Sequence, residues 1–241
     1  MSLNQNTVEL EIQPVSIKKL LSPRSIAIVG VSATPGSAGN TILKNLEHFN
    51  YSGEIHLVNK NRSDIEGKPC VPSIDDLPEG IDAVVLCVPY TAVVESVKAC
   101  ARRKAGSVMI FAAGFAEVGE VGKLAQAQIT EIGRENGMMI AGPNCMGLTN
   151  FVDNVPLTFA PGLRKTEVKN NNSLCILAQS GGMMSNLREI AQARGISLTY
   201  AISTGNEAIA GIEDYLAYLI EDEPTKVIAM YVEHIRRPKL F

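Results

Sequence analysis

Three short stretches of the chain combine glycine with polar side chains, and the first and third of them are suited to anions. The first, Gly30-Val31-Ser32-Ala33-Thr34-Pro35-Gly36-Ser37-Ala38-Gly39, offers glycines that let backbone approach a ligand and hydroxyls that can donate to phosphate. The second is Gly142-Pro143-Asn144-Cys145-Met146-Gly147, and the third is Gln179-Ser180-Gly181-Gly182. The third lies between an apolar run and a helical pattern, so its N–H groups and the helix dipole together make an anion site to which a phosphate fits. Two smaller turns, Val88-Pro89-Tyr90 and Ala112-Ala113-Gly114-Phe115, follow apolar runs in the same manner. The plain structural alternative is that the glycines of the first stretch serve only close packing of helix on sheet.

These turns need strands before them and helices behind them. Apolar runs over 25–31 (SIAIVGV), 54–59 (EIHLVN), 82–88 (DAVVLCV), 107–112 (SVMIFA) and 138–141 (MMIA) predict five strands. Helices are expected through Ile42, Leu43, Leu46 and Phe49, over 90–104 and over 120–136. Strands that are apolar throughout and alternate with helices predict an α/β fold whose parallel sheet is covered on both faces. In such sheets ligands bind outside the carboxyl ends of the strands, where all of these turns fall. A polar stretch, Arg164 to Ser173, reads as a surface loop or linker, after which strands 174–178, 198–202 and 226–232 alternate with helices 182–194 and 208–221. The first domain is expected to end near residue 145. The second round is short enough to read as an incomplete domain, because a parallel strand needs a covering helix or a partner.

Composition narrows the possibilities. The 241 residues are 46% hydrophobic and 20% charged, with 20 Gly and 12 Pro dispersed along the chain, as expected of a soluble globular protein. A formal net charge of −3 gives no global basic surface for nucleic acid. The longest nearly apolar run, Ala83 to Val94, contains Pro89 and falls short of the roughly 20 residues that cross a bilayer. The amino terminus, MSLNQNTVELEIQ, lacks the pattern of a signal peptide, so a cytoplasmic location is expected. Cys70, Cys87, Cys100, Cys145 and Cys175 form no C-x-x-C pair, which leaves neither a disulfide framework nor a metal site.

A dinucleotide site of the NAD type wants G-x-G-x-x-G and an acidic residue about 20 positions on. The second glycine position is Ser32, and the second strand ends in Val58-Asn59-Lys60-Asn61-Arg62. Lys60 or Arg62 there suits an extra ribose phosphate, as in NADP or the 3′-phosphate of coenzyme A; a solvated loop is the alternative.

The series GVSATPGSAGN, VPY, AAGFAE, IAGPNCMGLTN, LTFAPG, LAQSGGM, STGNEA and YVEHI, in this order and spacing, resembles the α portion of NDP-forming acyl-CoA synthetases, relatives of succinyl-CoA synthetase. The resemblance runs from about Pro14 to Phe241. It implies a Rossmann-like CoA-binding domain over 14–147 and the first part of a flavodoxin-like ligase domain over 148–241. Coenzyme A, as substrate, would meet Gly30, Ser32, Ala33, Thr34, Pro35 and Gly36 through its phosphates, with Val88, Pro89, Tyr90, Ala112, Ala113 and Gly114 along the nucleotide and pantetheine path. Asn144 and Cys145 would lie where the thiol end arrives, although Cys145 also reads as a buried structural thiol. Ser180, Gly181 and Gly182 would hold a phosphoryl group, and Glu233 would orient the ring of a phosphohistidine. Similar proteins commonly read V-N-P-K after the second strand; here Lys60 is displaced by one position, which puts its phosphate contact in question.

The resemblance places the phosphohistidine beyond the YVE strand. Of His48, His56 and His234, the first two lie on a helix and a strand, and His234 replaces a residue usually Gly. The chain then reads as the amino-terminal piece of a longer polypeptide. The implied reaction is acyl-CoA, ADP or GDP, and phosphate going to acid, free CoA and nucleoside triphosphate, reversibly, with the nucleotide and Mg on an ATP-grasp β subunit or domain. A small carboxylic acid is the other substrate, and a homo-oligomer is possible. Two alternatives stay open: a CoA- or acyl-CoA-binding regulatory module, as in fusions to a lysine acetyltransferase, and an NADP-dependent oxidoreductase. Met183 and Met184 beside the third glycine turn suit an apolar wall or the core.

Overall fold

A computed structural model of the chain describes residues 14–160, 162–168 and 173–241. The polar amino-terminal residues 1–13, Pro161 of the LTFAPG segment and residues 169–172 of the polar stretch lie outside the described residues. Helix α1 (Pro14–Leu21) leads into β1 (Ser25–Val29), α2 (Ala38–His48) and β2 (Glu54–Val58). A small hairpin, β3 (Asp64–Ile65) and β4 (Lys68–Val71), is followed by β5 (Ala83–Leu86), α3 (Tyr90–Arg102), β6 (Ser107–Ile110), α4 (Glu120–Glu135) and β7 (Met139–Ala141). The chain continues through β8 (Gly147–Asn150), β9 (Val155–Thr158), β10 (Ser173–Ala178), α5 (Gly181–Ala193), β11 (Ser197–Ser203), α6 (Ile212–Leu219) and β12 (Val227–Tyr231).

Two sheets result. The first has the order β3-β4-β2-β1-β5-β6-β7, parallel except for β3. Its central strands are buried on both faces, which is why SIAIV, AVVL and SVMI are apolar nearly throughout. The second has the order β12-β10-β11-β8-β9, with β12, β10 and β11 parallel and the β8–β9 hairpin antiparallel to them. The expected αβ alternation is therefore present, and the mixed character of both sheets departs from a purely parallel arrangement. Pro156 sits on β9, an edge strand, where its missing N–H costs no ladder bond on the open side.

Several elements of the first sheet are shorter than their apolar patterns, whereas β10 and β11 each run slightly longer than expected. The strand expected to reach residue 31 ends at Val29, because Gly30 takes φ +80° and turns the chain. The helix expected from 208 starts only at Ile212. Helix α1, the β3–β4 hairpin and the β8–β9 hairpin are additional elements. The two sheets share a core: Phe49, just past α2, lies 6.0 Å from Phe151, and Asn45 on α2 donates to the Thr158 carbonyl at 2.8 Å. Among the described residues no helix is long and apolar enough to cross a membrane.

Candidate functional site

Each sheet has one place where its winding reverses. In the first, β2 and β5 flank β1, so the turn after β1 opens at a switch point beside the turn after β5. The two turns touch: a Cβ built on Gly30 would lie 2.4 Å from the Cys87 carbonyl oxygen. The Gly30 N–H is bound to the Val58 carbonyl at 3.0 Å, and Asn59 donates to the Val31 carbonyl at 2.7 Å, so β2 holds the base of the turn. At its tip the Thr34 N–H donates to Ser32 Oγ at 3.0 Å, while the Ser37 hydroxyl donates to the Thr34 carbonyl at 2.8 Å. Ser37 makes no side-chain cap to α2. Thr34, Pro35 and Gly36 are exposed, with Ser32 and Ala33 half-buried beneath them. Lys60 and Arg62 stand exposed at the same edge, and neither forms an ion pair among the described residues.

Val88, Pro89 and Tyr90 close one flank. The Tyr90 ring packs edge-on against Phe115 at 4.9 Å, and a Cβ on Gly114 would lie 3.1 Å from that ring. Ala112 is half-buried and Ala113 exposed. The Ala112 carbonyl accepts the Asn144 N–H at 3.0 Å, which joins this loop to the turn after β7. Cys145 is buried, its thiol facing the Ile110 carbonyl at 3.4 Å, and burial pushes its pKa up to about 12. Its side chain is thus a packed thiol.

In the second sheet β11 and β12 flank β10, so the switch point falls on Gln179-Ser180-Gly181. Ser180 caps α5, its Oγ accepting the Met183 N–H at 3.3 Å. A Cβ on Gly182 would meet nothing closer than Ser180 Oγ at 4.0 Å, whereas one on Gly181 would strike Met146 at 2.5 Å. The start of α5 is therefore open above Gly182 and walled by Met146; Met184 belongs to the core and Met183 is half-buried. Glu233 follows β12 at this edge with its side chain exposed. His48 lies in the last turn of α2 and His56 beside Glu54 in β2, away from both switch points, and His234 is exposed next to Glu233.

The carboxyl edges of the two sheets face each other. The Asn206, Ala208 and Ala210 N–H groups donate to the Pro143, Gly142 and Ile140 carbonyls at 2.9, 2.8 and 2.9 Å. Around this seam the Asn206 amide donates to Glu117 and to Gln126, and Asn144 donates to Asn206 Oδ1 at 3.3 Å. Glu117 also accepts the Gly114 N–H. Burial alone would raise the Glu117 pKa, but these donors outweigh it and leave the carboxyl below its ordinary value.

Glu207 is the counter-case. It is fully buried at φ +57°, and Oε1 accepts from Gln179 Nε2 at 3.0 Å, Thr204 Oγ1 at 2.8 Å and the Ile212 N–H at 3.2 Å. Oε2 has no partner among the described residues, and burial raises the pKa. A carboxyl held higher in the folded than in the unfolded chain supports folding fully at low pH and loses that contribution as pH rises through the folded value. Glu207→Gln is therefore expected to gain stability relative to the parent as pH rises above the ordinary carboxylate range. Thermal unfolding of both proteins across that rise checks it, and a pH-independent difference would refute a raised Glu207.

The glycine turns, Tyr90, Gly114, Asn144, Ser180 and Glu233 all fall at the facing edges. Asn59, Glu117, Met146, Gln179, Asn206 and Glu207 also belong to the site without having been singled out individually. The GNE triplet of STGNEA was the one local signal for the last two, since Asn and Glu beside glycine at a strand end favour a loop with special geometry.

The model of the CoA binding domain matches residues 24–150, and that of the succinyl-CoA ligase-like flavodoxin domain matches residues 172–241. A trans-feruloyl-CoA synthase, FCS1, from an unknown prokaryotic organism is 44% identical over 225 residues, covering 93% of this chain and 32% of that protein. The subunit alpha of acetate–CoA ligase (ADP-forming) I from Pyrococcus furiosus is 32% identical over 231 residues, covering 94% of this chain and 49% of its own length. Among solved structures, acetyl-coenzyme A synthetase 1 of Ca. Korarchaeum cryptofilum in complex with phosphate and ADP superposes with a TM-score of 0.85 at 26% identity. That match covers 93% of this chain and 47% of the solved one. The chain thus spans about a third to a half of the length of these relatives.

Proposed function

The chain belongs to the CoA binding domain family, and from that premise we propose that it supplies the coenzyme A site and part of the phosphoryl site of an NDP-forming acyl-CoA synthetase. The reaction is acyl-CoA, ADP or GDP, and phosphate to acid, CoA and nucleoside triphosphate. The observation that carries this proposal is that each sheet places a glycine turn that opens a helix at its switch point, while the loops of the two sheets are bonded together where Asn206 and Ala208 donate to Pro143 and Gly142. A CoA-binding module with no phosphoryl chemistry has no use for the second of these turns.

In this proposal Ser32 to Gly36 cradle the coenzyme phosphates with backbone N–H groups at the start of α2. Lys60 or Arg62 takes the 3′-phosphate, and Val88 to Tyr90 with Ala112 to Gly114 line the path toward Asn144. Ser180, Gly181 and Gly182 hold phosphate at the start of α5, where fixed N–H groups stabilise the charge on the transferring group. Glu233 stands beside it to orient a histidine ring. The nucleotide, with Mg, belongs to an ATP-grasp partner subunit or domain, and a small carboxylic acid is the other substrate.

Calorimetry of the chain with CoA, dephospho-CoA and NADP tests the first site. A charge-assisted contact to the 3′-phosphate is worth about 1.5–3 kcal/mol, so CoA should bind roughly tenfold or more tighter than dephospho-CoA. Tight binding of NADP with none of CoA would overturn the proposal.

A further inference from the structure

Glu233 sits on the chain just after an edge strand, a position whose backbone would ordinarily be loosely held. Its neighbours are held instead by a single side chain from another strand. Gln179 is 4% exposed and all four of its amide hydrogen-bonding positions are used. Oε1 accepts the N–H of Glu233 at 2.6 Å and of His234 at 3.0 Å, and Nε2 donates to the His234 carbonyl at 2.7 Å and to Glu207 Oε1 at 3.0 Å. The Gln179 backbone adds to this, its N–H donating to the Tyr231 carbonyl at 3.1 Å and its carbonyl accepting the Gly205 N–H at 3.2 Å. The next residue along is Ser180, the cap of α5. A second fastening lies further on, where Arg237 pairs with Glu213 and Asp214 and its N–H donates to Glu213 Oε1 at 3.0 Å.

We infer that Gln179 is the positioning residue of the phosphoryl site: its amide locks the Glu233–His234 backbone to the turn between β10 and the Ser180 cap, so that the Glu233 carboxylate and the start of α5 keep one fixed separation. A side-chain amide suits this role because it can accept two N–H groups and donate to two oxygens at once, which a carboxylate or a hydroxyl cannot do. Glu207 completes the clamp by accepting one of those donors in a dry environment, where each bond is stronger than in water. The assignment rests on the proposal that Glu233 acts in phosphoryl transfer.

The test uses the longer polypeptide that carries this chain together with its phosphohistidine segment, assembled with its nucleotide-binding partner, and reads turnover, the KM for CoA and the stability of each variant. Gln179→Asn keeps the amide but draws it back by one methylene, and Gln179→Leu removes it. Both should lower kcat about tenfold or more while leaving the KM for CoA unchanged, because the coenzyme turn lies on the other sheet. Combined with Glu233→Gln, neither should reduce kcat beyond the Glu233→Gln value, since both act through the same carboxylate. Losses that add, or a Gln179→Asn enzyme with parental kcat, would overturn the role of Gln179 while leaving that of Glu233 intact. A Glu233→Gln enzyme with parental kcat would instead refute the phosphoryl-site proposal itself. Should Gln179→Leu fail to fold, the Gln179→Asn comparison decides alone.

Discussion

Gly30→Ala is expected to lower stability by about 3 kcal/mol and to abolish coenzyme binding, through two independent costs. Gly30 has φ +80°, a left-handed conformation that costs an L-residue roughly 1–2 kcal/mol. Its new methyl would also sit 2.4 Å from the Cys87 carbonyl oxygen and 3.2 Å from Val88 Cγ1, and overpacking of this kind costs about 1–3 kcal/mol. The nearest clashing atom, the Cys87 carbonyl oxygen, is backbone, so no rotamer change relieves it; the turn after β1 or the turn after β5 must move. Both line the proposed coenzyme path, which is why affinity should fall together with stability. Gly36→Ala is the control, because Gly36 has nearly the same φ, +79°, with nothing within 4 Å of its Cβ. Only the conformational cost applies there. At about 2–4 °C per kcal/mol for a chain of this size, thermal unfolding should separate the two variants by several degrees. Equal melting temperatures would show that the contact between the two turns is not tight.

Arg188→Met is expected to stabilise the protein by about 1–4 kcal/mol. Arg188 lies on the face of α5 that carries Met184 and Ala191 into the core, and it is 2% exposed. Its Nε and Nη1 have no partner among the described residues, and Nη2 reaches only Glu189 at 3.2 Å, whose own side chain is 66% exposed. Burial lowers its pKa, the mark of a charge that solvation would favour elsewhere. Methionine fills a similar volume without a charge to desolvate. Denaturant titration at fixed pH measures the change; a loss of stability would mean that the guanidinium is satisfied in solution. The substitution is two helical turns from Gly181, so CoA affinity should not follow it.

The βα alternation was legible because it is local. SIAIV, AVVL and SVMI are apolar at every buried position except Ser107, and the glycine turns follow directly on the strands that aim them. The β3–β4 hairpin was not, since its turn pairs Glu66 at φ +53° with Gly67 and so lacks the Asn or Asp that ordinarily announces such a turn. The β8–β9 hairpin was obscured by Pro156, which argues against a strand unless the strand is known to be at an edge.

Residue order alone thus specified two rounds of strand and helix and the positions of Ser32 to Gly36, Asn144 and Ser180 to Gly182 at strand ends, because hydrophobic period and turn chemistry act over a few residues. It could not specify that the two sheets meet edge to edge, that Asn206 reaches Glu117, or that Gln179 holds Glu233. Those bonds join residues 89 and 54 positions apart. Whether such groups meet depends on strand order and on which way each sheet reverses, and only the folded chain settles both.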